Sequence, residues 1–340
     1  MTLVSALSAA TAFVMAVLLT GGVRKIALSM QVLDIPNSRS SHAVPTPRGG
    51  GLATVLATTA VLGVLVWLDR VSLNVFMALS VGALAVATVG FLDDRRPLPA
   101  RIRFTVHVIA AIWALAWLGG LPPLRFGEQV FTFGWGGYVL GVLGIVWTLN
   151  LFNFMDGIDG IAGSEAAFVA AAGALLHHFS GGSPEAILAA SVFAAGCLGF
   201  LVWNWPPAKI FMGDVGSGYM GYIIAVLALI AARENPVALL LWVILGGVFF
   251  VDATVTLVRR VWRRESFHQA HRSHAYQWLS RRWKSHRRVT LAVLGINLTW
   301  LFPCALFATW KPAFAGWMTV VALLPVTVAA ILAGAGRAEA

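Results

Sequence analysis

The stretch VSLNVFMALSVGALAVATVGFLDDRRP, Val71 to Pro97, decides how the chain is read. From Val71 to Leu92 it carries no charged residue. Runs of about 18 or more apolar residues read as membrane-spanning helices. This run stops at two adjacent aspartates, Asp93 and Asp94, followed at once by Arg95 and Arg96. An even exchange of charge at a solvated helix end explains the pair equally well on its own.

The same pattern recurs outward in both directions. Further apolar runs lie at about 3–19, 51–68, 104–121, 138–152, 164–179, 184–203, 216–232, 236–258, 289–307 and 313–332. The chain has 340 residues, 59% of them hydrophobic and 11% charged, so a soluble domain of this size could not hide its apolar surface. Mean hydropathy is +0.82. Only helices or closed barrels satisfy the backbone in lipid, and these runs are too long and too little alternating for barrel strands. The expectation is an all-α polytopic integral membrane protein with about eleven transmembrane helices. Residues 1–340 are expected to form a single membrane domain. Its active site would be built from loops at about 21–50, 93–103, 153–163, 204–217 and 259–288.

Charge orients this array. Of 24 lysines and arginines, 20 fall in loops that follow odd-numbered runs or in the tail, and only Arg70, Arg125, Arg233 and Lys311 follow even-numbered ones. The positive-inside rule makes the odd-following loops cytoplasmic, with the N-terminus periplasmic and the C-terminus cytoplasmic. No basic stretch precedes the first run, which argues against a cleaved signal peptide. The net charge of +10 is therefore mostly a topology signal. Part of it suits anionic lipid headgroups or an anionic substrate. Nucleic acid is a poor partner for a chain without a compact soluble domain. Cys197 and Cys304 both fall inside apolar runs and read as small buried hydrophobes.

Four polar clusters all fall on the expected cytoplasmic side: DIPNSRSSHAVPTPRGGG at Asp34 to Gly51, FLDDRRP, NFMDGIDGIAG at Asn153 to Gly163 with NWPPAKIFMGDVGSG at Asn204 to Gly218, and HQAHRSHAYQ at His268 to Gln277. DGIDG is not an EF-hand, since Ile158 stands where an oxygen ligand is needed. GDVGSG lacks the Lys-Ser/Thr pair of a P-loop. His271 and His274 would share a helix face, but no third nitrogen or sulfur ligand accompanies them for zinc. Together the clusters describe one site of carboxylates, amides, glycine turns, histidines and arginines on one membrane face. Hard carboxylate oxygens suit Mg2+, and a carboxylate-held Mg2+ beside basic residues suits transfer of a phosphoryl group.

In these motifs, from about Asp34 to Gln277, the chain resembles the polyprenyl-phosphate N-acetylhexosamine-1-phosphate transferases of glycosyltransferase family 4. These include the phospho-MurNAc-pentapeptide translocases and the undecaprenyl-phosphate GlcNAc-1-phosphate transferases. The resemblance implies transfer of a sugar 1-phosphate from a UDP-N-acetylhexosamine donor to undecaprenyl phosphate, with release of UMP. It implies Mg2+, with Mn2+ as an alternative ion, held by Asp214 and Asn153. It assigns Asp93 and Asp94 to the acceptor phosphate or the metal, and Asp156 and Asp159 to the catalytic loop. Asn204, Phe211 and Asp159 match positions that hold uridine. His271, Arg272 and His274 match a histidine motif that contacts the donor diphosphate. Asp252 matches an acidic position, and pairing with a basic neighbour reads equally well. The motif here is HRSHAY, sparser in histidine than is usual, which resembles the branch that initiates O-antigen and makes a MurNAc-pentapeptide donor a poorer match. Localisation in a bacterial inner membrane, with the site facing the cytoplasm, follows from the same resemblance.

A polytopic transporter or lipid-linked glycan flippase is the alternative reading. Transporters bind substrate near the bilayer midplane on broken helices, whereas the acidic clusters here lie at the ends of runs.

Overall fold

The computed structural model describes residues 3–35, 44–127, 129–265 and 272–338. Its helices are α1 (Leu3–Ser29), α2 (Gly51–Trp67), α3 (Leu73–Arg95), α4 (Ala100–Leu118), α5 (Gly134–Met155), α6 (Ile161–Phe179) and α7 (Pro184–Asn204). They continue as α8 (Asp214–Glu234), α9 (Ala238–Leu245), α10 (Gly247–Trp262), α11 (Ala275–Trp283), α12 (His286–Ile296), α13 (Phe302–Trp310) and α14 (Ala315–Ala333). Two small antiparallel pairs complete it: β1 (Leu33–Asp34) with β2 (Thr46–Pro47), and β3 (Leu124–Phe126) with β4 (Gln129–Phe131). The protein is an all-α, multi-pass membrane protein.

Each of the eleven apolar runs coincides with helix, though not always with one unbroken helix. Among the described residues, eight segments are long and apolar enough to cross a membrane, or nine if α9 and α10 count as one span. That pair is bent by 75° at Gly246, where the sequence predicts a continuous run. The run at 289–307 passes through a π-helical turn, Asn297–Leu301, before α13 resumes with Pro303 in its first turn. The segment from His286 to Trp310 is continuous helix, so Pro303, which has no N–H, leaves a carbonyl one turn back without its helical donor just where the helix widens. Helix α2 has 17 residues, and α6 carries Glu165, His177 and His178 in a 19-residue span, so one is shorter and the other less apolar than the remaining spans.

Helix α8 is the hub. Its residues from Val215 to Ala232 are all buried, and α3, α5, α2 and α6 pack around it. Small residues make the close approaches, as expected where packing rather than hydrophobicity holds helices together in lipid. A side chain at Gly51 of α2 would collide with the Gly216 backbone of α8. The exterior is apolar, with Trp67, Trp135, Trp262 and Trp317 among the exposed large side chains.

The connections sort into two groups. At one end of α8 lie the loops around Arg48, Asp93 to Arg103, Asp156 to Gly160 and Asn204 to Gly213. The last described residues lie here too, since Ala335 O accepts from Arg259 Nη1 at 2.7 Å and Gly336 N–H donates to Ser273 O at 2.7 Å. Arg24, near the end of α1, joins them by donating to Lys209 O at 3.1 Å. At the other end lie the α2–α3 turn, the β3–β4 hairpin and the α6–α7 turn, tied together by Ser72 N–H to Glu185, Arg125 N–H to Pro236 O and Ser183 to Glu234.

Candidate active site

The site grows from the N-terminus of α8. The first N–H groups of a helix have no partner inside it, and its dipole favours negative charge there. Asp94, at the end of α3, meets both needs. Its Oδ1 accepts from Asp214 N–H at 2.9 Å and its Oδ2 from Val215 N–H at 3.1 Å. Gly213 precedes this turn at φ +77°, a region that side chains rarely adopt, and a Cβ there would run into the Asp94 carboxylate. Gly90, one turn earlier on α3, lies so close to the Asp214 carbonyl that no side chain fits.

Two arginines knit the carboxylates together. Arg48 places Nε 2.9 Å from Asp94 Oδ1 and Nη2 2.9 Å from Asp214 Oδ1. It arrives there because residues 47–51 run beside 211–212: Phe211 N–H donates to Pro47 O, Gly50 N–H to Phe211 O and Gly51 N–H to Met212 O. Arg103, in the first turn of α4, reaches Asp93 Oδ2 at 2.7 Å and Asp214 Oδ2 at 3.5 Å. Asp93 Oδ1 also accepts Leu98 N–H at 2.6 Å, which closes the α3–α4 turn. The sequence alone does not single out either arginine. Their signal was present only in the company of unpaired carboxylates, which the linear order does not reveal.

The DGIDG loop connects α5 to α6. Asn153 Nδ2 donates to Ser217 Oγ on α8 at 3.0 Å, which fixes the α5 end beside Asp214. Asp156 caps the end of α5 and Gly160 turns the chain at φ +76°. Burial, then the Asp214 charge, pushes the Asp156 carboxyl well above the ordinary carboxylate range. Asp159 Oδ2 accepts Ala208 N–H at 3.1 Å and lies 3.2 Å from His286 Nδ1. Asn204 is buried, and both ends of its amide are committed: Oδ1 accepts Gly160 N–H and Nδ2 donates to Ile210 O, each at 3.0 Å. It holds two loops in register. Phe211 is half-buried and joins Pro47 and Gly50 through its backbone.

The histidine segment docks on the same loop. Asp252 of α10 caps α11, accepting Ala275 N–H at 2.9 Å and Tyr276 N–H at 3.0 Å. Its Oδ1 is 3.4 Å from Nδ1 of His274, so the neighbour of the expected basic pairing is a histidine. His274 is buried and stacks against Tyr276 and Phe154, and Tyr276 donates its hydroxyl to Phe154 O at 2.9 Å. Its place is a support beneath the loop rather than an open wall. His271 lies outside the described residues.

Two cavities flank this assembly. One, of about 400 Å3, has Asp214, Asn153, Asn150 and Arg103 at one end and apolar residues of α3, α4 and α5 along its length, including Val86, Phe104, Leu143 and Val146. The other, of about 590 Å3, is lined by Asp159, Pro206, Pro207 and Ser280 with Arg272, Arg281, Lys284, His286 and Arg287. Among the described residues, no three His, Cys, Asp or Glu side chains form a ready-made metal cage. Mg2+ does not require one, since it binds through one or two carboxylates, water and substrate phosphates. Asp214 and Asn153 offer hard oxygens on the wall of one cavity, so the residues present fit such an ion.

Residues 76–232 match the glycosyl transferase family 4 model. The chain is 31% identical over 287 residues to a Bacillus subtilis protein named as a probable undecaprenyl-phosphate N-acetylglucosaminyl 1-phosphate transferase, covering 82% of this chain and 78% of that one. It is 30% identical over 321 residues to a decaprenyl-phosphate N-acetylglucosaminephosphotransferase of Mycobacterium tuberculosis, covering 85% and 78%. A phospho-N-acetylmuramoyl-pentapeptide-transferase of Bacillus licheniformis is 30% identical over 290 residues, covering 75% and 85%. The chain belongs to glycosyl transferase family 4.

Proposed function

We propose that the protein transfers an N-acetylhexosamine 1-phosphate from a UDP-sugar to undecaprenyl phosphate at the cytoplasmic face of a bacterial inner membrane. UMP leaves, and the lipid-linked product begins a cell-surface glycan such as O-antigen. The observation that carries this reading is the 400 Å3 cavity. Its polar end, with His107 one turn further along α4, and its otherwise apolar walls match one ligand shape, a phosphate on an apolar chain. The basic 590 Å3 cavity beyond Asp159 offers a water-soluble polyanion a separate approach. A transporter site would have its charges buried near mid-helix, whereas these carboxylates gather at helix ends.

In this reading an oxygen of the acceptor phosphate attacks the sugar-bearing phosphorus of the donor. The new phosphoanhydride forms as the bond to UMP breaks, so the free-energy change is small and the reaction runs both ways. Asp214, with Asn153, would hold Mg2+ (or Mn2+), which neutralises charge on the diphosphate when bound. Arg48 and Arg103 are placed to take up phosphate charge beside the carboxylates. Asp93 and Asp94 act by orienting those arginines and the α8 N-terminus. Asp156, whose carboxyl holds its proton to a higher pH than usual, is suited to receive a proton from the acceptor. Arg272 faces the donor side.

The test is incubation of purified protein with undecaprenyl phosphate, Mg2+ and a panel of UDP-sugars, with detection of UMP. Release of UMP only when lipid acceptor and one UDP-N-acetylhexosamine are both present is the expected result. UMP–UDP-sugar isotope exchange without acceptor would instead show a covalent intermediate, and no UMP from any donor would overturn the reading. Orientation is tested separately: in intact cells an impermeant thiol reagent should label a cysteine placed at Gly182 and spare one at Ser285.

A further inference from the structure

We infer that His286 is a positioning residue for Asp159, and that it tunes donor binding without touching the reacting atoms. The inference rests on the donor-and-acceptor reading above.

Asp159 stands where the catalytic loop meets the basic cavity, and it is gripped from outside the loop. Ser285 caps α12 by accepting Arg288 N–H at 3.3 Å, which sets the first turn of that helix. Residues four apart on a helix share a face. His286 and Thr290 are such a pair, and both point at Asp159. Thr290 Oγ1 donates to Asp159 O at 3.0 Å from a fully buried position. His286 Nδ1 lies 3.2 Å from Asp159 Oδ2 and 3.4 Å from Asp159 N.

Those two histidine contacts exclude each other. Nδ1 can accept the Asp159 N–H only through a free lone pair, and can serve the carboxylate only when it carries hydrogen. The shorter distance and the charge on the carboxylate favour the second arrangement. Ala208 N–H completes the grip on the same oxygen at 3.1 Å. Rotation of the Asp159 carboxylate is thereby limited by two donors from two different elements.

The consequence lies in what else that turn carries. Lys284, His286 and Arg287 line the same cavity as Asp159 and Arg272. An anionic nucleotide sugar entering this cavity would meet cations from the α11–α12 turn and, through His286, the aspartate at the start of α6. The histidine therefore links the basic cytoplasmic segment to the catalytic loop.

The test is steady-state kinetics in detergent with UDP-GlcNAc, or whichever UDP-sugar the wild type turns over. His286→Phe keeps the ring volume and removes the nitrogen. It should raise the donor KM about 10- to 100-fold, the worth of one charge-assisted hydrogen bond. The acceptor KM and the Mg2+ dependence should stay near wild type. His286→Asn, whose amide nitrogen can stand near Nδ1, should restore most of the donor KM. Thr290→Val cuts the second hold and should move the donor KM in the same direction. Thermal midpoints for all three separate binding effects from misfolding. An unchanged donor KM in His286→Phe, or equal losses toward donor and acceptor that Asn does not rescue, would overturn the inference. A wild type that releases no UMP would instead sink the functional reading and this inference with it.

Discussion

Helix α8 runs between two carboxylate knots, and they differ in a way that marks one as a site. At its C-terminal end Glu234 accepts Ser183 N–H and Ser183 Oγ, each at 2.6 Å, and faces His177 Nε2 at 3.1 Å. Each carboxylate oxygen has its own donor, and the adjoining void is about 10 Å3. At its N-terminal end the ion pairs run among Asp93, Asp94 and Asp214 and the guanidinium groups of Arg48 and Arg103. Asp214 and Arg103 open onto a cavity of about 400 Å3. The far knot is solvent-exposed at Glu234, has its oxygens met by neighbours and, among the described residues, borders no cavity of ligand size. The near knot also meets its carboxylate oxygens with donors, but it shares two arginines among three carboxylates at the edge of an open cavity, an arrangement with room for a cation and an anionic ligand. The same helix makes both, because its dipole draws carboxylates to the N-terminal end, while the far end relies on short hydroxyl and amide donors.

Substitutions at the two ends should separate accordingly. The largest effect is expected at Asp214→Asn, which keeps the shape and removes the charge. Turnover should fall at least about 100-fold, the scale for losing one preorganised charge-stabilising group, with the helical circular dichroism signal retained. Near wild-type activity at ordinary Mg2+ would break the comparison at its strongest point. Arg48→Lys comes next. Arg48 serves two carboxylates through different nitrogens, a fork that lysine's point charge cannot copy. Loss of about 10-fold or more in kcat/KM is expected, and recovery by lysine would reduce Arg48 to a counter-charge. The smallest effect is expected at Glu234→Gln. Its thermal midpoint in detergent should drop, while kcat stays within about twofold of wild type. A large loss of turnover there would mean the far knot communicates with the site along α8.

How much of this was legible in the linear chain depended on the kind of signal. The helical, multi-pass architecture could be read because the solvent for each segment is lipid, and about 18 apolar residues in a row have only one economical backbone solution. The break at Gly246 could not, since a bend inside a uniformly apolar run changes packing and not composition. Asp94 and Asp214 stood out among the carboxylates gathered on one membrane face, and Asn153 entered through the family resemblance; the structure brings the three together at the start of α8. Arg48 and Arg103 were hidden among 24 basic residues, most of which serve orientation.

By itself, then, the sequence determined the class of fold, the family pattern and the set of polar loops available for chemistry, since these follow from hydrophobic length and motif order. Tertiary structure alone decided which members of those loops face each other. Asn204 became a buried brace because backbone N–H and C=O groups in a turn at the membrane face need partners, and His274 was buried by stacking on Tyr276 and Phe154 while Gln277 Oε1 accepted its backbone N–H. Asp252 became a helix cap for the same reason. His286, from a basic stretch with no motif of its own, came to rest 3.2 Å from Asp159. Such pairings depend on where helices cross, and crossing is set by packing between residues far apart in the chain, as where Gly51 leaves room for the backbone at Gly216.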